Sequence, residues 1–92
     1  MVDDLEFDPS KQQKNLGKHG IDFELASTVL DDPYSLTLDD YSDHNEERYF
    51  TVGIAINGQI LVVNWTLRGD NLRLISARDA SPQQKRDYYA RR

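Results

Sequence analysis

Two runs rich in β-branched and aromatic side chains, residues 48–56 (RYFTVGIAI) and 59–67 (QILVVNWTL), stand on either side of Asn57-Gly58. Asn-Gly between alternating apolar positions is the strongest short-range hairpin signal, so the centre of the fold is expected to be antiparallel β. A two-residue loop would set Phe50 against Trp65, Val52 against Val63 and Ile54 against Leu61, giving the hairpin one apolar face. The opposite face would carry Tyr49 against Thr66 and Thr51 against Asn64. Arg68-Gly69-Asp70-Asn71 reads as a second turn, and a Gly69-Asp70 loop places Leu74 beside Trp65 and Arg73 beside Thr66 on the polar face. Arg78 then has core parity, so either the strand ends near Ala77 or a bulge turns Arg78 outward.

The flanking segments carry helix punctuation. Leu5-Glu6-Phe7 reads as a short strand closed by Asp8-Pro9, an N-cap followed by a first-turn proline, and a helix is expected to about Lys18 with Gly20 at its end. Asp22 offers a second cap, and Phe23, Ala26, Val29 and Leu30 make one apolar stripe that Asp32-Pro33 ends. Residues 34–38 alternate as a half-buried strand. Ser81-Pro82-Gln83-Gln84 supplies a cap, a first-turn proline and a capping-box glutamine for a last helix. The expectation is an α+β fold, β-α-α-β-β-β-β-α, with an antiparallel sheet, two N-terminal helices and one C-terminal helix, as a single domain over residues 1–92.

At 92 residues without cysteine, the chain can build one modest core, and disulfide frameworks, thiolate nucleophiles and cysteine-ligated zinc are excluded. The longest aliphatic run, Ile60 to Val63, is far short of the ~20 residues that span a bilayer, and the acidic N-terminus lacks a signal-peptide layout. No membrane association is expected, and the cytoplasm is the expected compartment. The net charge of −5 conceals an asymmetry: residues 1–47 hold 13 acidic and 3 basic side chains, whereas residues 48–92 hold 3 acidic and 8 basic. Nucleic-acid binding depends on where cations cluster rather than on overall sign, which directs attention to the basic half.

In that half, Arg68, Arg73 and Arg78 alternate with polar and aromatic neighbours, and the expected register groups Arg73 with Tyr49, Thr51, Asn64 and Thr66. Guanidinium groups bind phosphate through paired donors, while hydroxyls and amides reach sugar and base edges, as an RNA-facing sheet requires. The bland alternative is a set of solvated arginines or surface ion pairs. His19 and His44 are the two histidines; His19 reads first as a cation at a helix C-terminus and His44 as part of an acidic loop, residues 39–47 (DDYSDHNEE). That loop lacks the alternating ligands and central glycine of a calcium site, and a single histidine is poor for zinc, so no metal is expected. GxSxG, P-loop, GxGxxG and HExxH motifs are all missing, which argues against serine hydrolases, NTPases, dinucleotide enzymes and zinc proteases.

Phe7-Asp8-Pro9-Ser10-Lys11, Asn15, Lys18-His19-Gly20-Ile21, Phe23, Ala26, Asp32-Pro33, Glu47-Arg48, Thr66, Arg68-Gly69-Asp70, Arg73 and Ile75-Ser76-Ala77-Arg78-Asp79-Ala80 together resemble the BrnT toxin family of bacterial type II toxin–antitoxin systems. The match spans almost the whole chain. The resemblance implies a RelE-like fold, a ribonuclease that arrests translation, and neutralisation by a BrnA-type antitoxin carrying its own DNA-binding domain, so that DNA is met only through the partner. The chain departs from the family pattern at Phe7, Trp65, Asp79, Gln83 and Gln84.

On this basis the expected activity is a metal- and cofactor-independent endoribonuclease. Arg73 and Arg78 are the candidates for phosphate stabilisation. Lys18 and His19 are candidates for proton transfer or phosphate contact, and Lys11 and Arg48 are supporting cations. Tyr49, Thr51, Thr66 and Arg68 complete the expected RNA-contacting set. The alternative, favoured by the acidic balance and the departures, is a non-catalytic subunit that corepresses transcription with a DNA-binding antitoxin.

Overall fold

The computed structural model describes residues 5–40 and 47–91. His44 and most of the acidic loop weighed for metal binding lie outside the described residues. Strand β1 (Leu5–Phe7) leads into helix α1 (Pro9–His19), helix α2 (Phe23–Ser27) and a 3₁₀ turn (Thr28–Asp31). Strands β2 (Leu36–Asp40), β3 (Arg48–Ile54), β4 (Ile60–Arg68) and β5 (Asn71–Asp79) follow, and helix α3 (Pro82–Ala90) ends the described chain.

Local chemistry sets these boundaries. The Asp8 carboxylate accepts the Ser10 N–H at 2.9 Å, Pro9 fills the first turn, and α1 stops at Gly20, whose φ of 69° an L side chain resists. The apolar stripe after Asp22 is present, with Phe23, Ala26 and Val29 fully buried, but the expected helix tightens into a 3₁₀ turn at Thr28. Its cause is local competition: Ser27 Oγ and Thr28 Oγ1 each donate at 2.7 Å to the carbonyl three residues back, and Pro33 forbids continuation. At α3 the Ser81 hydroxyl accepts the Gln84 N–H while the Gln84 side chain accepts the Ser81 N–H, a complete capping box.

The five strands lie in the order β1-β5-β4-β3-β2. Strands β2 to β5 pair antiparallel, but β1 pairs parallel to β5, so the sheet is mixed rather than antiparallel as expected. The turns after β3 and β4 fix alternating directions there. By contrast, α1 and α2 carry the chain from one sheet edge to the other, leaving the direction of β1 free of any hairpin constraint.

The register of the central hairpin also differs from expectation. Gly58 N–H donates to the Ala55 carbonyl at 2.9 Å and Ala55 N–H to the Gln59 carbonyl at 2.8 Å, closing a three-residue loop. A two-residue type I′ loop needs positive φ at both Asn57 and Gly58; here Gly58 alone takes it, at 92°. The Asn57 side chain instead accepts the Gln59 N–H at 3.0 Å. Tyr49 therefore pairs with Trp65, Thr51 with Val63, and Gly53 with Leu61. A one-residue shift exchanges faces. Phe50, Val52 and Ile54, expected to share a core with Leu61, Val63, Trp65 and Leu74, instead pack with Ile60, Val62, Ala80 and Tyr88 beneath α3. Both faces of the sheet are apolar, and the continuous run Ile60–Val63 is buried on both sides.

The second hairpin follows expectation: Gly69 takes a φ of 60°, Trp65 pairs with Leu74 and Thr66 with Arg73. Further along, Asn64 pairs with Ser76 whereas Trp65 pairs with Leu74, so Ile75 is the extra residue of a bulge. That bulge, rather than an early strand end, returns Ala77 to the core and turns Arg78 outward. Side chains complete the two backbone edges that strands leave open. Asn15 bonds both backbone groups of Ala77 on β5 beyond the end of β1, and Asp32 accepts the Ile54 N–H beyond the end of β2. A Cβ on Gly53 would meet Asp32 Oδ2 at 3.0 Å, so glycine leaves room for that carboxylate and for the Tyr88 hydroxyl that donates to it. Among the described residues no helix is long and apolar enough to cross a membrane.

Candidate functional site

Helix α1 contains no acidic residue, and it carries every Lys and Arg of residues 1–47: Lys11, Lys14 and Lys18. Spacings of three and four residues put these on one side of a helix, and with His19, Asn15, Ile75 and Ser76 they line a shallow groove of about 350 Å³ between α1 and β5 at the bulge. The structure thus brings together Lys11, Lys18 and His19, three of the residues singled out in the sequence. It adds Lys14 and Ser76, which sequence reasoning missed. The missed signal was the confinement of all the lysines of the acidic half to one uninterrupted helix.

Arg73 and Arg78 do not line this groove; both project from β5 on the α3 side of the sheet, opposite Thr66 and Val62. Arg73 Nε donates to Glu6 Oε1 on β1 at 3.0 Å, and Asn71 donates to the other Glu6 oxygen. Hydrogen bonds from Asn71 and Arg73, with the nearby charge of Arg68, hold the Glu6 carboxyl below its ordinary pKa. Asp8 is likewise held low, first by the Ser10 bonds and then by the charges of Lys11 and Arg73. Arg73 therefore shares its electrostatic surroundings with the start of α1. Arg78 reaches the other way, donating to the Asp79 carbonyl at 3.1 Å and to Gln84 Oε1 at 3.3 Å on the first turn of α3.

The expected polar face around Arg73 is divided. Tyr49 stacks on Trp65 with centroids 4.6 Å apart, on the opposite side of the sheet from Arg73. Its hydroxyl donates to Glu47, and that bond raises its pKa. Thr51 is 1% exposed and lies between Thr37 and the Trp65 indole N–H. Thr66 does share the face of Arg73, but it is 2% exposed and donates to the Glu47 carbonyl. Both threonines are interior hydrogen-bonding groups here. The one-residue register change accounts for the separation of Tyr49 and Thr51 from Arg73. Arg48 opens β3 opposite Asp40 and lines a pocket with Asp39, Asp40, Glu47 and Tyr49, whose carboxylates would repel phosphate. Arg68 ends β4 in an exposed position, opposite Asn71 and near the half-buried Glu6.

Chemically, the α1–β5 groove offers ammonium donors, an imidazole with donor and acceptor nitrogens, and a serine hydroxyl on one concave surface. This set suits an anionic, phosphate-bearing substrate.

Comparison with known proteins bears on what that substrate is. Residues 7–84 match the family model described as the ribonuclease toxin BrnT of type II toxin–antitoxin systems. Among solved structures, the chain is similar to the ribonuclease toxin BrnT of Brucella abortus. The TM-score is 0.67 at 28% sequence identity, over 84% of this chain and 95% of the other. No curated protein matches the chain. With an α+β fold of this kind and a family match over most of its length, the chain belongs to the BrnT family of ribonuclease toxins of type II toxin–antitoxin systems.

Proposed function

We propose that this toxin cleaves RNA in the α1–β5 groove without a metal ion, on a RelE-like single domain acting in the cytoplasm. The observation that carries the reading is the gathering of Lys11, Lys14, Lys18 and His19 on one groove in a chain whose N-terminal half is otherwise strongly acidic. His19 takes the proton from a ribose 2′-OH, the oxygen attacks the adjacent phosphorus, and the 5′ oxygen leaves with a proton from a second donor, for which Lys18 and a water relay are the candidates. The products are a 2′,3′-cyclic phosphate and a 5′-hydroxyl. Lys11 and Lys14 track flanking phosphates. Arg73, whose Nη groups remain available while Glu6 engages Nε, and Arg78 lie outside the groove on the α3 side of the sheet, and are assigned charge stabilisation of an RNA phosphate that passes over the β5 edge. Cleavage of an oligoribonucleotide in EDTA, with loss of cleavage in the Lys18→Ala, His19→Ala double variant and in a substrate lacking the 2′-OH at the cleaved position, supports the reading. Undiminished cleavage by the double variant refutes it.

The type II family assignment implies an antitoxin partner. We infer that it is of the BrnA type, that an acidic segment of it covers the groove, and that DNA is contacted through it alone; complementary charge both steers such association and blocks the RNA phosphates. Hydrogen exchange that slows over Lys11–Gly20 on complex formation supports occlusion. Slowing confined to Asp39, Asp40 and Glu47 in a complex that still cleaves RNA would favour recruitment of a basic segment to the acidic side. The corepressor alternative draws on the net charge of −5, and growth that continues when this chain is expressed alone would favour it.

A further inference from the structure

Among the residues of α1, the single buried one is not apolar: it is Asn15, 5% exposed. The helix's one large aliphatic side chain, Leu16, remains 36% exposed. Helix α1 is therefore docked on the sheet by directional polar contacts rather than by an oily stripe. Asn15 Nδ2 donates to the Ala77 carbonyl and to the Ile21 carbonyl, each at 2.9 Å, and Asn15 Oδ1 accepts the Ala77 N–H at 3.0 Å. One amide thus takes the place of a neighbouring strand on the open edge of β5 and also holds the turn after Gly20. Gln12 adds a second anchor, its Oε1 accepting the Phe23 N–H at 3.1 Å.

The geometry has a consequence for chemistry. Ala77 lies between Ser76, which lines the groove, and Arg78; Asn15 lies one turn from Lys11 and from Lys18 on the helix. The two walls of the groove meet at this amide. An apolar contact tolerates sliding, whereas a two-point amide pairing with one residue's N–H and C=O sets both distance and register. We propose that Asn15 is a positioning residue for RNA cleavage, fixing the separation and register of the Lys18–His19 wall of the groove against its Ile75–Ser76 wall on β5. The proposal rests on the reading of the α1–β5 groove as the cleavage site.

Three variants separate positioning from simple stability, each assayed below its own unfolding transition with an oligoribonucleotide under multiple-turnover conditions. Asn15→Ala removes all three bonds, and Asn15→Asp keeps only the acceptor for Ala77 N–H. Asn15→Gln keeps donor and acceptor but lengthens the arm by one methylene. Displacements near 1 Å cost about 10²-fold in catalysis, so the Gln variant should keep a cooperative melt while its kcat falls about 10- to 100-fold. KM should stay within about threefold, because Lys11, Lys14 and Lys18 still meet the RNA phosphates. Tyr88→Phe on α3, which loses the bond to Asp32, is the control: it lowers the melting temperature and leaves kcat unchanged. A folded Asn15→Gln or Asn15→Asp enzyme with wild-type kcat overturns the proposal, as does a loss confined to KM. If the Lys18→Ala, His19→Ala enzyme cleaves normally, the groove reading itself has failed; if that enzyme is inactive while folded Asn15 variants are not, only the positioning role is refuted.

Discussion

Helices α1 and α3 rest on the same sheet by opposite means. Helix α3 buries Tyr88, 1% exposed, among Val52, Ile60, Val62 and Ala80, and its hydroxyl donates to Asp32. Helix α1 buries an amide and leaves its leucine partly in water. Burial of an aromatic ring is strong and non-directional, whereas a hydrogen-bonded amide contributes modestly and fixes geometry. The helix held by burial anchors the domain, and the helix held by directional bonds carries the cations of the candidate site. Strength and placement are thus assigned to different elements.

The largest effect expected from this contrast is on the α3 side. Tyr88→Ala empties a packed site and removes one of the donors to the Asp32 carboxylate, so it should cost about 3–5 kcal/mol in denaturant unfolding. Molecules that remain folded should still cleave RNA at the wild-type rate. A Tyr88→Ala protein as stable as the wild type would break the contrast.

Next come the strand arginines. Arg73→Ala and Arg78→Ala should each lower cleavage by about 10²- to 10³-fold, equivalent to about 2–4 kcal/mol of transition-state stabilisation, with unfolding midpoints little changed. Arg73→Lys should recover part of the loss, since an ammonium lacks paired donors. Unchanged cleavage by the double Ala variant would remove both residues from the mechanism and leave the helix cations alone.

A smaller effect tests the interior polar groups. Thr51→Val keeps the shape but leaves the Trp65 indole N–H without its acceptor at 2.9 Å, and about 1–2 kcal/mol of stability should be lost. Cleavage by the folded variant should be unaffected. Impaired RNA affinity in a fully stable Thr51→Val protein would return Thr51 to the binding surface.

The smallest expected effect concerns Glu6, whose half-buried side chain is paired with Arg73 at the sheet edge. Its folded pKa lies below the unfolded value, so its contribution is present above the ordinary carboxylate range and is lost as pH falls through the folded pKa. Glu6→Gln should therefore flatten the acid limb of a stability-versus-pH curve slightly and, by freeing Arg73 Nε, tighten RNA binding slightly. A steeper acid limb in Glu6→Gln would contradict the ion pair.

What was legible in the sequence was punctuation. Asp8-Pro9, Asp22, Gly20 and the Ser81–Gln84 box act through atoms within a few residues of one another, so their meaning does not depend on tertiary context. Gly69-Asp70 was legible for the same reason, because positive φ falls on the glycine. Asn57-Gly58 misled because the same dipeptide serves a two-residue loop, with Asn in the left-handed region, and a three-residue loop, with only Gly there. The Asn57 side chain's bond to Gln59 N–H accompanies the second. Ile60–Val63 held the corrective signal, since four apolar residues in succession mark a strand covered on both faces rather than one. In the candidate site, the lysines of α1 could be placed by helical period, but the Asn15–Ala77 pairing spans 62 positions and no local pattern announces it.

The most direct test of the groove is amide chemical-shift mapping of the ¹⁵N-labelled toxin with a non-cleavable 2′-O-methyl oligoribonucleotide. Saturable shifts should concentrate at Lys11, Lys14, Lys18, His19, Ser76 and Ala77 and weaken with added salt as phosphate contacts do. Shifts centred on Asp39, Asp40, Arg48 and Tyr49, with α1 unperturbed, would contradict the groove assignment.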